Sequence, residues 1–297
     1  MATTRRDLFA RLIDDAAVFP PGSSPLPVAV RDHHEHRQRP YAWVVGPLLV
    51  PASSWGELTE TGHDSDESLQ VGLISRPGDD VALVGAAVSA LRERDDIEVA
   101  GVELGWSPTW HNDLGAVIGA VIDEGLGVAL ELPRGPEQQR AIDGIRAARA
   151  QGRAVVAKFR TGPTPTWSWP EEAELAGVLR AVVDAGVPLK LTGGLHHAVR
   201  GRYTPAGGAE EDNHGLLNIL AATHAACIDA PREDIAAILA ERDPVALTHR
   251  IEDLHPGEVA CVREVFTAYG CCTVTDPITE LEDLQLLPDD TTTNDKD

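Results

Sequence analysis

The span 154–197 opens Ala154-Val-Val-Ala-Lys158-Phe-Arg160-Thr-Gly162 and ends Pro188-Leu-Lys190-Leu-Thr-Gly-Gly194-Leu-His196-His197. Each end is a short apolar run holding a charge and closed by glycine, which reads as a strand buried on both faces. Between them, Pro170–Ala185 reads as a helix. A strand, a helix and a second strand make a βαβ unit and therefore a parallel pair.

The same alternation continues in both directions. Upstream, strands are predicted at Ala16–Phe19, Ala42–Val50, Leu69–Ser75, Ile97–Leu104 and Gly127–Leu132. The helical stretches that follow them are Pro25–Gln38, a turn from Ser53, Asp79–Arg94, Asn112–Glu124 and Pro136–Gln151. Downstream, a long helical region covers His214–Ala268 with breaks near Pro231, Pro244 and Pro256. An eighth strand at Ala268–Thr275 and a helix at Thr279–Leu287 close the series. Eight strand–helix units in order predict an α/β fold, a (β/α)8 TIM barrel with a long helical insertion between strands seven and eight. A doubly wound sheet would carry a glycine-rich phosphate loop after its first strand, where this chain has Pro20-Pro21-Gly22. Residues 1–287 read as one barrel domain, and 288–297 as a disordered acidic-polar tail.

Composition narrows the partners. The net charge of -22 argues against nucleic acid and against anionic membrane surfaces. No apolar run reaches the length of a membrane span, and residues 1–12 lack the apolar core of a signal peptide. Four cysteines, two of them adjacent at Cys271 and Cys272, fit a reducing compartment and a cytoplasmic protein. A homo-oligomer is compatible with the sequence.

The cations are distributed unevenly. Of 25 Lys plus Arg, only Lys158, Lys190 and Lys296 are lysines, and Lys296 lies in the tail. A lysine kept where arginine otherwise supplies the charge suggests a task that needs a removable proton. In a barrel the chemistry sits at the C-terminal ends of the strands. There the sequence places Glu103, Glu131, Lys158 and Lys190 on four successive strands. Charges inside apolar strands are costly unless paired or used. With neighbouring strands ~4.8 Å apart, the two ammonium groups are expected to repel and lower one another's pKa, which favours amine nucleophilicity. Arg160 suits a carboxylate or phosphate, Gly193-Gly194 offers backbone amides, and His196 or His197 offers acid–base chemistry or metal ligation. Thr161 stands beside them. The tryptophans at 55, 106, 110, 167 and 169 are expected to wall the same face. His33, His34 and His36 read as a solvated helix face, and Cys271 and Cys272 as small core filler. Residues 200–213, with Gly207-Gly208 and the acidic run Glu210-Glu211-Asp212, are expected to form a lid over the barrel mouth.

The two lysine motifs resemble strands six and seven of the deoxyribose-phosphate aldolases, within the class I aldolase superfamily. Leu12-Ile13-Asp14 resembles that family's opening Ile-Asp, and Gly127-Val-Ala-Leu-Glu131 its fifth strand. The resemblance implies that Lys158 forms a Schiff base and that Lys190 tunes it and joins the proton relay. Glu103 stands where the family has Asp, Arg160 replaces a small polar residue, and the eighth strand lacks the Ser/Gly-rich phosphate end. The leading expectation is an aldolase-like lyase acting on a small carbonyl substrate. Lys158, Lys190, Glu103 and Glu131 would be catalytic, and Arg160, Thr161, Gly193, Gly194, His196 and His197 substrate-binding, with no metal or organic cofactor. Two alternatives stay open: a metal-dependent enzyme using Glu103, Glu131 and His196 or His197, and a non-catalytic barrel that binds an anionic metabolite.

Overall fold

Valine, leucine and isoleucine in short two-face-buried runs call for a parallel sheet covered by helices, and a closed barrel jacketed by helices is one such solution. The computed structural model, which describes residues 2–61, 67–121, 125–164, 168–204 and 210–287, adopts it. The barrel strands are β1 (Ile13–Asp15), β2 (Val45–Pro51), β3 (Leu69–Ser75), β4 (Ile97–Leu104), β5 (Gly127–Glu131), β6 (Val155–Arg160), β7 (Leu189–Thr192) and β10 (Phe266–Cys271). They close in the order β1-β10-β7-β6-β5-β4-β3-β2, with every pair parallel. Two further strands, β8 (Gly201–Tyr203) and β9 (Glu211–Asn213), form a separate antiparallel ribbon.

The helices before β7 are α1 (Ala2–Phe9), α2 (Leu26–Arg37), α3 (Trp55–Thr61), α4 (Ala82–Arg92), α5 (Trp110–Val121), α6 (Gln138–Ala150) and α7 (Glu172–Ala185). The insertion after β7 holds α8 (Leu216–Cys227), α9 (Arg232–Ala240), α10 (Pro244–Glu252) and α11 (Pro256–Val265), and α12 (Thr275–Asp283) follows β10. The breaks between them fall at Pro231, Pro244 and Pro256, each of which stands at or just before a helix start, where its fixed φ is tolerated. Almost every residue of α8 is buried, because α9, α10 and α11 pack over it as a second layer. No helix among the described residues is long and apolar enough to cross a membrane.

Three expectations are corrected. The first strand is Ile13–Asp15, not Ala16–Phe19. Its two aspartates look like loop residues until their partners are known: Asp14 meets Lys190 and Asp15 meets His33. The eighth strand ends at Cys271, because Thr275-Asp276-Pro277 starts a helix, and the closing helix therefore begins four residues early. His33 is not on a solvated face. It is 2% exposed, and its Nδ1 lies 3.0 Å from Asp15 Oδ2.

The tryptophans divide. Trp110 is buried and packs on Gly144 of α6 in the outer layer, away from the barrel mouth. Trp106 and Trp169 stay at the mouth, and Trp167 lies outside the described residues. Where a lid was expected, the ribbon β8–β9 stands beside the mouth. Tyr203 stacks on His197 with ring centroids 3.3 Å apart, and Arg242 donates to Asp212 at 2.8 Å. No described ribbon residue lines the mouth cavity, and Gly207-Gly208 lie outside the described residues. The expected tail at 288–297 lies outside them too.

Candidate active site

Parallel register decides which side chains share the lumen. Lys158 on β6 pairs with Glu131 on β5 and with Lys190 on β7, so these three side chains point to the same side. Asp14 on β1 sits opposite Gly270 of β10, and Glu103 reaches in from β4. The absence of a side chain at Gly46 on β2 makes room for Asp14, whose carboxylate a Cβ there would strike.

The result is an alternating network. Lys158 Nζ lies 3.2 Å from Glu103 Oε2 and 3.3 Å from Glu131 Oε2. Arg160 Nε lies 3.3 Å from Glu131 Oε1. Lys190 Nζ is in close contact with Asp14 and with the second oxygen of Glu103. Three cations thus interleave with three carboxylates, and Glu103 bridges the two lysines. Pairing of this kind offsets the cost of taking charge out of water.

The electrostatics follow from that order. Burial works against every charge here. For Glu103 it is outweighed by Lys190 and Lys158, which pull its pKa down to about 2. For Lys190 burial is outweighed by Asp14 and Glu103, so its pKa is raised and it stays an ammonium. Burial prevails at Asp14, whose pKa is raised despite Lys190. The expected mutual lowering by two facing lysines is therefore corrected for Lys190, because a carboxylate stands between them.

Above the network, at the C-terminal ends of the strands, opens a cavity of about 390 Å³. Lys158, Glu131, Arg160, Gly193, Gly194 and His196 line it. Glu103 and Lys190 lie beneath, outside the lining: Glu103 touches Lys158, and Lys190 is linked to it through Glu103. Of the remaining expected site residues, Thr161 is fully buried and its hydroxyl donates to the Gly193 carbonyl, which shapes the turn. His197 turns away: its Nδ1 lies 2.7 Å from Glu280 Oε1 of α12. His196 Nε2 lies 3.6 Å from Cys272 Sγ, and burial lowers its pKa. Of the residues of the metal-dependent alternative, Glu131 and His196 line the same cavity, both carboxylates contact cations, and His197 faces Glu280. Among the described residues no group of three His, Cys, Asp or Glu is placed to hold a metal.

The turn after β7 is built by glycine. Gly193 and Gly194 both have φ in the left-handed region, 67° and 74°. A Cβ on Gly194 would strike the Trp169 ring and lie 2.8 Å from Gly162 Cα, so two loops touch backbone to backbone here. Asp14 is the network member that the site reading of the sequence missed. Its signal was an acid inside Leu12-Ile13-Asp14, flanked by fully buried residues.

No family model and no curated protein matches the chain. Among solved structures it is similar to the carboxyl transferase domain from Rhizobium etli pyruvate carboxylase with pyruvate, at 12% identity and a TM-score of 0.40. The match covers 90% of this chain and 50% of that one, so this chain spans half the length of its neighbour. A likeness this distant says nothing of substrate or chemistry. By its own strand pairing, the chain is a (β/α)8 barrel with a helical insertion between the seventh and eighth barrel strands.

Proposed function

We propose that the chain is a class I aldolase-like lyase that acts on a small carbonyl compound through a Schiff base on Lys158. One observation carries the reading: Lys158 is a buried amine at the floor of the mouth cavity, between two carboxylates, with Lys190 held charged behind it. The resemblance of the two lysine motifs to the deoxyribose-phosphate aldolases points the same way.

The chemistry follows from position. Lys158 loses a proton to Glu131, the carboxylate that both touches it and lines the cavity. The free amine adds to the carbonyl carbon, and loss of water leaves the protonated Schiff base. That cation draws electrons from the bond between the α and β carbons while Glu131, a carboxylate again once its proton has left with the water, takes the proton of the substrate's β-hydroxyl; the bond breaks and the β carbon leaves as a carbonyl product. The enamine left behind takes a proton, and water then regenerates the amine. Glu103, ionised and shared between two lysines, is better suited to hold Lys158 in place than to shuttle protons. Arg160 at the rim receives a substrate carboxylate or phosphate.

Incubation with pyruvate or propanal and borohydride is expected to add one covalent mass at Lys158, located by peptide mapping of the three lysines. Lys158→Arg should abolish the adduct, because guanidinium cannot attack a carbonyl. Equal labelling of Lys158 and Lys296 across carbonyl compounds and pH would refute the reading.

A further inference from the structure

We infer that the site takes a carbonyl acid carrying an apolar group, aryl or branched alkyl, and that the cavity beside Trp106 is the subsite for that group. The inference rests on the Lys158 reading and extends it to a substrate class.

A second cavity of about 250 Å³ adjoins the mouth and shares Pro77, Glu131 and Arg160 with it. Its own walls are mostly apolar, Trp106, Leu132, Pro133 and Phe159, with Arg134, Gly162 and Thr164 completing the lining. The charged groups at its edge are already engaged. Arg134 pairs with Glu174 and donates to the Ser168 carbonyl at 2.6 Å. Glu131 is shared between Lys158 and Arg160. A hydroxylated chain placed here would exchange water for an apolar wall, and each unpaired hydroxyl would oppose binding. An apolar group gains instead, and dry apolar cavities of roughly 150 Å³ already admit benzene.

Arg160 sets the orientation. It follows Lys158 by two residues on the same strand, so both project to the same side. Its Nε is engaged with Glu131, while its side chain stays 37% exposed where the two cavities meet. A 2-oxo acid fits this order: carbonyl carbon at Lys158, carboxylate on the outer edge of Arg160, side group past Pro77 and against Trp106. A sugar phosphate would meet the anion site but not the wall.

Binding of unreactive acids separates this inference from the Schiff-base reading, because a carboxylate does not condense with an amine. Calorimetric titration of the full chain should show 3-phenylpropionate binding roughly tenfold to a hundredfold tighter than propionate, the scale expected for burying a phenyl ring. Trp106→Ala should bring the two acids together by weakening 3-phenylpropionate alone. Equal affinities in the unaltered protein would overturn the inference, as would a preference that Trp106→Ala leaves intact. If that variant does not fold, the ratio in the unaltered protein decides. Borohydride adducts of pyruvate at Lys158 without any phenyl preference would remove the subsite and leave the Schiff base. A phenyl preference without adducts would do the reverse, leaving a carboxylate-binding pocket and no lyase.

Discussion

Lys190 touches two buried carboxylates, Asp14 and Glu103, and removing it leaves both without their main counter-charge. Loss of one partner from a buried pair costs about 3–5 kcal/mol, and Lys190→Met is expected to lower unfolding free energy by that amount at pH 7. The deficit should depend on pH in a definite direction. Glu103, lowered from 4.5 to about 2, contributes stability that is full above pH 4.5 and is lost as pH falls toward 2. Lys190, raised from 10.5, contributes stability that is full below pH 10.5 and is lost only above it. Asp14, raised from 3.8, opposes folding when ionised and is relieved as pH falls. In Lys190→Met both orphaned carboxylates accept protons more readily, so the gap to the unaltered protein should close between pH 7 and 4. Denaturant melts across that range check it, and a gap independent of pH would mean that the loss is one of packing. With Lys190 gone, Glu103 acts on Lys158 alone, and borohydride trapping should move to higher pH.

The turn after β7 belongs to the scale of elements. Gly193 and Gly194 share a left-handed backbone, yet their surroundings differ. A methyl on Gly193 would lie 3.1 Å from Arg160 Nη1, the free end of a flexible side chain. A methyl on Gly194 would meet the Trp169 ring and the backbone of Gly162. Both alanine variants carry the left-handed penalty of roughly 1–2 kcal/mol, and Gly194→Ala should cost clearly more than Gly193→Ala in denaturant midpoint. Equal costs would show that the loops separate freely. The sequence was legible at this scale where apolar residues dominate the strand: β3 and β4 match residue for residue, and β5, β6 and β7 lie within a residue or two. It failed at β1, whose three residues include two acids. That one failure accounts for two others. Asp14 gained no role because its partner lies 176 residues away. His33 looked solvated because its partner, Asp15, was not yet in a strand. Charge pairs across a barrel are written in register, and register is not readable from one segment alone.

At the scale of the molecule, the insertion after β7 is held together internally by a buried amide. Asn218 on α8 accepts from the Arg200 backbone at 2.8 Å and donates to the carbonyls of Ile238 at 2.9 Å and Glu241 at 2.7 Å. It thereby caps the end of α9 and anchors the segment that leaves the site. Asn218→Leu keeps the volume but leaves buried backbone groups unpaired, each worth about 1–3 kcal/mol. The expected outcome is a loss of several kcal/mol in chemical unfolding, with the borohydride adduct at Lys158 retained under folding conditions. Loss of the adduct in a folded variant would place the insertion in the chemistry. The lysine distribution also has a consequence for the surface. Both lysines among the described residues are turned inward, with side chains 3% and 12% exposed, and the outer cations of that shell are guanidinium groups or histidines. Reactive carbonyls ordinarily glycate exposed lysine amines. Under the proposed Schiff-base function, the described exterior would present such compounds no lysine on the way to Lys158.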